Sequence, residues 1–152
     1  MTQANKNAEP SGLSARKQEA LAQAEAVAGE RTRWIARNRY FYDDHYRYLR
    51  FLVPEGSRVL DLGCGIGDVM AALAPARGVG LDISSAMIDV ARKENPSFEY
   101  HVGDIESADV IAGLEGPFDA IILSDTIGNL EDIEATIESL HALCTPDTRL
   151  IV

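Results

Sequence analysis

Val59-Leu60-Asp61-Leu62-Gly63-Cys64-Gly65-Ile66-Gly67-Asp68 is the stretch that decides the fold. Residues 58–62 form a short apolar run that reads as a buried strand. It feeds into glycines at three alternate positions, and a helical stretch over 68–74 opens directly afterwards. Glycines at such a junction let the backbone turn sharply and let a ligand approach with no Cβ in the way. Open α/β sheets bind their ligands at the carboxyl ends of the strands, where the strand order reverses. A dinucleotide fingerprint spaces its glycines G-x-G-x-x-G. Here the third glycine comes one residue early, at Gly67, and Asp68 stands where that fingerprint has glycine, which counts against a nicotinamide dehydrogenase. The Lys-Ser/Thr of a phosphate loop is missing as well. A plain glycine-rich turn is the remaining structural alternative.

Downstream the chain alternates regularly. Strands are expected at 78–82, 98–102, 117–124 and 149–152, with helices at 84–95, where Ser84 or Ser85 is the N-cap, and at 130–143. The latter places Ile133, Ile137, Leu140 and Leu143 on one side. Strands separated by helical patterns mean βαβ units and a parallel sheet. Each strand end carries polar candidates. Asp82 closes the second strand 21 residues after Asp61, near the ~20-residue offset of ribose-binding acids. A carboxylate suits a vicinal diol because it accepts two hydrogen bonds; a cap for the following helix is the alternative. Ile83 and Met87 are placed to pack on a ligand ring or in the core. Gly103-Asp104-Ile105 follows the third strand, and Ser124-Asp125 ends the fourth.

VLDLGCGIGD resembles motif I of the class I S-adenosylmethionine-dependent methyltransferases, and residues 58–152 are similar to that family's first five strands. The resemblance implies an open, parallel, Rossmann-like sheet with S-adenosylmethionine as cofactor. It implies that Gly63, Cys64, Gly65 and Gly67 form the loop under the methionine portion and that Asp61 takes the ammonium, directly or through water. Asp82 then matches the acid that binds ribose, and Gly103, Asp104 and Ile105 the adenine-binding turn. Ser124 and Asp125 lie where the family's active-site residues often sit. The later strands usually shape the acceptor site in this family, so the acceptor is expected to be a small molecule and stays unnamed. A loose similarity of residues 39–124 to bacterial modules preceding a glycosyltransferase points to a sugar or lipid-linked acceptor. Methyl transfer asks mainly for orientation in a water-poor site, and no catalytic residue is assigned; His45 and Tyr42 are weak candidates for a base.

Upstream, residues 1–12 read as a disordered leader and 13–53 as a helical segment, with the α/β domain, incomplete, from 54 to 152. The run from Ser14 to about Glu30 is alanine-rich, with little to dock on a core. From Arg31 to Val53, Trp34, Phe41, Tyr48 and Leu52 recur at helical spacing, and Tyr42, His45 and Leu49 form an adjoining stripe. Phe41 and Tyr48 are expected to pack on the sheet. Tyr42 and Tyr46 are expected to contact the pocket, where aromatic rings attract a sulfonium.

At 152 residues the chain is one domain's length, with 14 basic and 24 acidic side chains, a net charge of −10. That balance disfavours nucleic acid and anionic membranes. Residues 31–50 nevertheless carry six arginines against Asp43 and Asp44, and are expected to dock on the acidic body by charge. Hydrophobic content of 46% excludes a largely disordered chain. Two cysteines, Cys64 and Cys144, make neither a disulfide framework nor a thiolate metal site, and no metal is expected. Without an apolar leader or a membrane-length run, a cytoplasmic location is expected. The chain stops inside an apolar strand, so it reads as a fragment, whose open sheet edge invites self-association. A module that binds S-adenosylmethionine or S-adenosylhomocysteine without catalysis is the rival reading.

Overall fold

A computed structural model gives the fold and describes residues 12–152; the expected leader, apart from Gly12, lies outside the described residues. Five strands, β1 (Arg58–Leu62), β2 (Arg77–Asp82), β3 (Glu99–Val102), β4 (Phe118–Ile122) and β5 (Cys144–Ile151), form one sheet in the order β3-β2-β1-β4-β5. All four pairings are parallel. The order reverses between β1 and β4, so their carboxyl ends diverge and leave a crevice. Strands β1 and β4 are buried on both faces, which is why they read as continuous apolar runs.

Helices α1 (Ala15–Arg37), α2 (Arg39–Leu52), α3 (Asp68–Leu73) and α4 (Ser85–Glu94) precede α5 (Ala108–Ala112) and α6 (Ile133–Ser139). Leu60, Leu62, Val79, Leu81, Ile121 and Leu123 pack against α5 and the segment after α6 on one face. Val59, Ala120 and Ile122 meet Leu49 and Val53 of the α2 end and Val69 and Met70 of α3 on the other. Ser84 is the N-cap of α4, its hydroxyl accepting from the Met87 amide.

The structure departs from the expected elements at four places. The helix expected over 130–143 is broken into a 3₁₀ turn at Ile127–Asn129, then α6, then a 3₁₀ turn at Leu140–Leu143. Asp132 sets the start of α6 by capping the Ala135 amide, which leaves Ile133 exposed and buries Thr136 instead. Strand β5 starts earlier than expected, at Cys144, and the Pro146-Asp147 turn bulges inside it. The Thr148 hydroxyl ties that bulge down, accepting from the Thr145 amide and donating to the Phe118 carbonyl.

The third departure is the face that α2 buries. Phe41 and Tyr48, expected in the core, are 61% and 60% exposed, whereas Tyr42 and Leu49 of the adjoining stripe are buried. Two aromatic stripes compete on this helix, and Leu49 with Val53 fits the gap over β1 and β4. The fourth concerns charge. Arg33, Arg39 and Arg47 pair with Glu30, Asp43 and Asp44 on their own helices, so the 31–50 segment is not held to the body by ion pairs from these residues. Apolar contact holds it, helped by Arg50 donating to the Ala72 carbonyl. No helix among the described residues is long and apolar enough to cross a membrane.

Candidate functional site

A cavity of about 290 Å³ opens at the carboxyl ends of β1, β2, β3 and β4, roofed by α1 and α2. Its lining brings together twelve of the residues singled out from the sequence: Tyr42, Asp61, Gly63, Cys64, Gly65, Asp82, Ile83, Met87, Asp104, Ile105, Ser124 and Asp125. It leaves three outside: Tyr46, Gly67 and Gly103. A Cβ on Gly67 would meet the Tyr100 side chain, and one on Gly103 would lie 2.8 Å from Val110, so both glycines make room for neighbouring side chains. Tyr46 is not part of the lining, and its hydroxyl donates at 2.5 Å to Asp68, which is.

The loop after β1 has φ of +79°, +53° and +77° at Gly63, Gly65 and Gly67, a left-handed conformation that L side chains rarely adopt. Around a Cβ built on Gly65 there is nothing within 4 Å, so this backbone faces open cavity, while at Gly63 the Thr126 hydroxyl fills that space. The Gly65 amide donates to Asp82 Oδ2 at 2.8 Å and the Ser84 amide to Asp82 Oδ1 at 2.9 Å. These bonds lock the β2 carboxylate against the glycine loop. Burial raises the Asp82 pKa, and the two amides partly offset it.

Asp61 at the end of β1 is 2% exposed, and its Oδ2 has no hydrogen-bond partner among the described residues. Burial, with the nearby charges of Asp68 and Asp82, pushes its pKa up to about 8. A cation seated beside it would hold it as carboxylate. Burial pushes the Cys64 thiol well above its ordinary value, which makes it a poor nucleophile.

Sequence reading missed the contribution of α1. Ala24, Ala28 and Ile35 pack against Ile66, Met87, Ala86 and Val90, because small side chains let the helix lie close to α4. Lys17 then reaches across the cavity to Asp104 at 2.6 Å and Glu106 at 2.7 Å. Burial works against the Lys17 charge, and these two hydrogen bonds outweigh it, so its pKa is raised. Glu25 accepts from the Ser84 hydroxyl at 2.7 Å. The Ser14 hydroxyl donates to Glu131, and Arg16 donates to the Gly128 carbonyl. The helix therefore straps together the turns after β2, β3 and β4. Its legible signal was the four-residue spacing of Ala20, Ala24 and Ala28. Arg31, Asp68, Asn129 and Leu130 also line the cavity unannounced, and Thr126 lines it beside Ser124 and Asp125. His45 faces it too, its Nε2 3.0 Å from the Ser124 hydroxyl. No group of three metal-ligating side chains occurs among the described residues.

A family model described as a methyltransferase domain matches residues 34–152. The chain is 34% identical over 112 residues to a ubiquinone biosynthesis O-methyltransferase of Xylella fastidiosa, covering 69% of this chain and 45% of that protein. It is 30% identical over 105 residues to a dTDP-3-amino-3,6-dideoxy-alpha-D-glucopyranose N,N-dimethyltransferase of Streptomyces fradiae, covering 65% and 40%. Among solved structures it superposes on a TehB-like S-adenosylmethionine-dependent methyltransferase of Corynebacterium glutamicum. The TM-score is 0.65 at 26% identity, over 86% of this chain and 72% of that one. The chain thus spans less than half the length of the curated relatives it matches.

Proposed function

The chain belongs to the methyltransferase domain family, and from that premise we propose that it binds S-adenosylmethionine in the cavity above β1 and methylates a small-molecule acceptor. The observation that carries this reading is Asp61, a buried carboxylate with an unpartnered oxygen in the wall of a cavity whose glycine loop leaves open space at Gly65. An unpaired buried polar atom is costly unless a ligand satisfies it, and the ammonium of the cofactor's methionine end is such a ligand. Asp82, held by two backbone amides, has lone pairs left for the ribose diol. Ile83, Met87 and Ile105 supply apolar walls for the adenine, with Asp104 at their edge.

When bound, S-adenosylmethionine supplies an electrophilic methyl on a sulfonium, so the protein's work is orientation and exclusion of water. The roof made by α1 and α2 serves the second task. His45, within hydrogen-bond reach of Ser124, is the group in the cavity suited to take a proton from an acceptor hydroxyl or amine. The small-molecule acceptor is supported by the cavity's size and by the relatives, named for quinone biosynthesis and for an amino sugar. The net charge of −10 argues against nucleic acid as substrate. The open edge of β5 supports self-association by strand pairing.

Calorimetric titration with S-adenosylhomocysteine tests the reading. The expected result is saturable binding that Asp82→Ala weakens tenfold or more, the loss of a charge-assisted contact, and that Gly65→Arg abolishes by filling the cavity. A folded chain that gives no heat with S-adenosylhomocysteine would sink it.

A further inference from the structure

Half of the chain's aromatic side chains face solvent, and they do so together. Of ten, five are exposed, and all five fall between residues 34 and 51: Trp34 near the end of α1, and Tyr40, Phe41, Tyr48 and Phe51 on α2. Tyr40 and Phe51 are the extreme cases, 89% and 83% exposed. At about 3.6 residues per turn, Tyr40 stands in line with Phe51 and Phe41 with Tyr48. Both lines lie on the half of α2 opposite the buried Tyr42 and Leu49. None of the five rings lines the cavity, so they are not walls of the ligand site. An exposed apolar patch of this kind marks an interaction surface.

The same stretch is the basic part of an acidic protein. Residues 31–50 hold six arginines against two aspartates, Asp43 and Asp44, a local net of +4 in a chain of net −10. Arg39 pairs with Asp43 at 3.7 Å and Arg47 with Asp44 at 3.1 Å, which neutralises both acids of the stretch. Arg37 and Arg50 have no carboxylate within the 4.0 Å of an ion pair among the described residues. Salt screens surface charge beyond about 8–10 Å. The acidic body therefore does not cancel the charge at this corner, and the whole-chain balance that disfavours an anionic membrane does not describe it. Tyrosine and tryptophan settle at the boundary between hydrocarbon and headgroups, and arginine reaches from there to the phosphates. A helix that carries both on its outer side is built to lie in that boundary.

We propose that the outer face of α2, with the end of α1, is a docking surface for an anionic lipid bilayer. Tyr40, Phe41, Tyr48 and Phe51 enter the headgroup boundary, and Arg37, Arg39 and Arg47 meet lipid phosphates. The helix lies on the bilayer and does not cross it. Tyr42 and His45 of the same helix line the cavity, so one helix, about 10 Å thick, stands between cavity and lipid. That arrangement suits an acceptor drawn from the lipid phase, a consequence which alone rests on the proposed methyl transfer.

Flotation of the full 152-residue chain with vesicles tests the docking, since only vesicle-bound protein rises and self-associated protein does not. One set of vesicles holds phosphatidylcholine and phosphatidylglycerol in equal parts, the other phosphatidylcholine alone. The chain should float with the anionic vesicles and about fivefold or more less with the neutral ones. Arg37→Glu with Arg39→Glu should lower partitioning into the anionic vesicles about tenfold or more, and Tyr40→Ser with Phe51→Ser about tenfold. All four side chains are exposed, so circular dichroism should show both double variants folded; Phe51→Ser alone serves if either is not. No flotation with the anionic vesicles, equal flotation with both kinds, or flotation unaltered in the folded variants overturns the proposal. Two further results also overturn it when flotation is absent. Binding of single-stranded oligouridylate that Arg37→Glu with Arg39→Glu removes gives the face to nucleic acid. A dimer mass that Tyr40→Ser with Phe51→Ser returns to monomer gives it to a second copy of the chain.

Discussion

Asp61 is where the physical chemistry of one residue is most exposed to test. Its pKa of about 8 arises first from burial and then from the charges of Asp68 and Asp82. In the unfolded chain the same carboxyl titrates near ~4. Between those values the folded state holds a proton that the unfolded state gives up, so Asp61 makes stability fall as pH rises through that window. Asp82 adds to the same slope, whereas Glu25, Glu106 and Asp119, whose pKa values are lowered, oppose it. The contribution of Asp61 is therefore read as a difference: Asp61→Asn should flatten the decline in Tm from pH 5 to pH 8 and raise Tm at pH 8 by about 2–4 °C. Thermal melts followed by circular dichroism check it; parallel pH profiles for the two proteins would contradict it. At this scale the sequence was legible where spacing and chemistry coincide, as at Asp61, Gly65 and Asp82. It was ambiguous at Gly67 and Gly103, because a glycine that makes room for Tyr100 or Val110 is written with the same letter as one that makes room for a ligand.

Among the elements, α1 is the least legible. Alanine counts for little in a hydrophobic pattern, yet its smallness is what lets α1 lie against α4 and carry Lys17 to the β3 turn. Lys17→Met leaves Asp104 and Glu106, with side chains only 20% and 11% exposed, facing each other without a cation. The expected cost is about 1–3 kcal/mol at neutral pH, shrinking in acid once the Glu106 carboxyl takes up a proton, and urea denaturation at neutral and at acid pH measures it. An equal cost at both would mean that lost packing of the lysine stem, not charge, dominates. In α2 two aromatic stripes lie side by side, and the stripe of Tyr42 and Leu49 is the buried one, not that of Phe41 and Tyr48. The burial of one stripe over the other is settled by Leu49 and Val53 fitting over β1 and β4, a tertiary fact that helical periodicity does not contain.

Across the whole molecule the sheet is the legible part. Strands buried on both faces must be apolar along their length, and turns between parallel strands and helices need glycine, proline or capping residues, so β1 to β4 announce themselves in order. Strand order and the α1 part of the roof over the cavity were not announced, because they depend on which residues distant in sequence meet. Strand β5 lies at one edge of the sheet with Leu150 43% exposed. Among the described residues no strand pairs with its outer side, and such an edge is a template for another strand, so static light scattering of these 152 residues should show a mass that rises with protein concentration; a constant monomer mass up to millimolar protein would remove that expectation. The three glycines of the loop, finally, answer to different masters. In a library of variants sorted only for survival of heating, Gly63 and Gly67 should persist, since Thr126 and Tyr100 occupy the space a side chain would need, while Gly65 drifts toward asparagine and aspartate, the residues that best tolerate its left-handed backbone. Only a second sort, on retention of ligand, should bring Gly65 back, so that one short motif records two separate histories of selection.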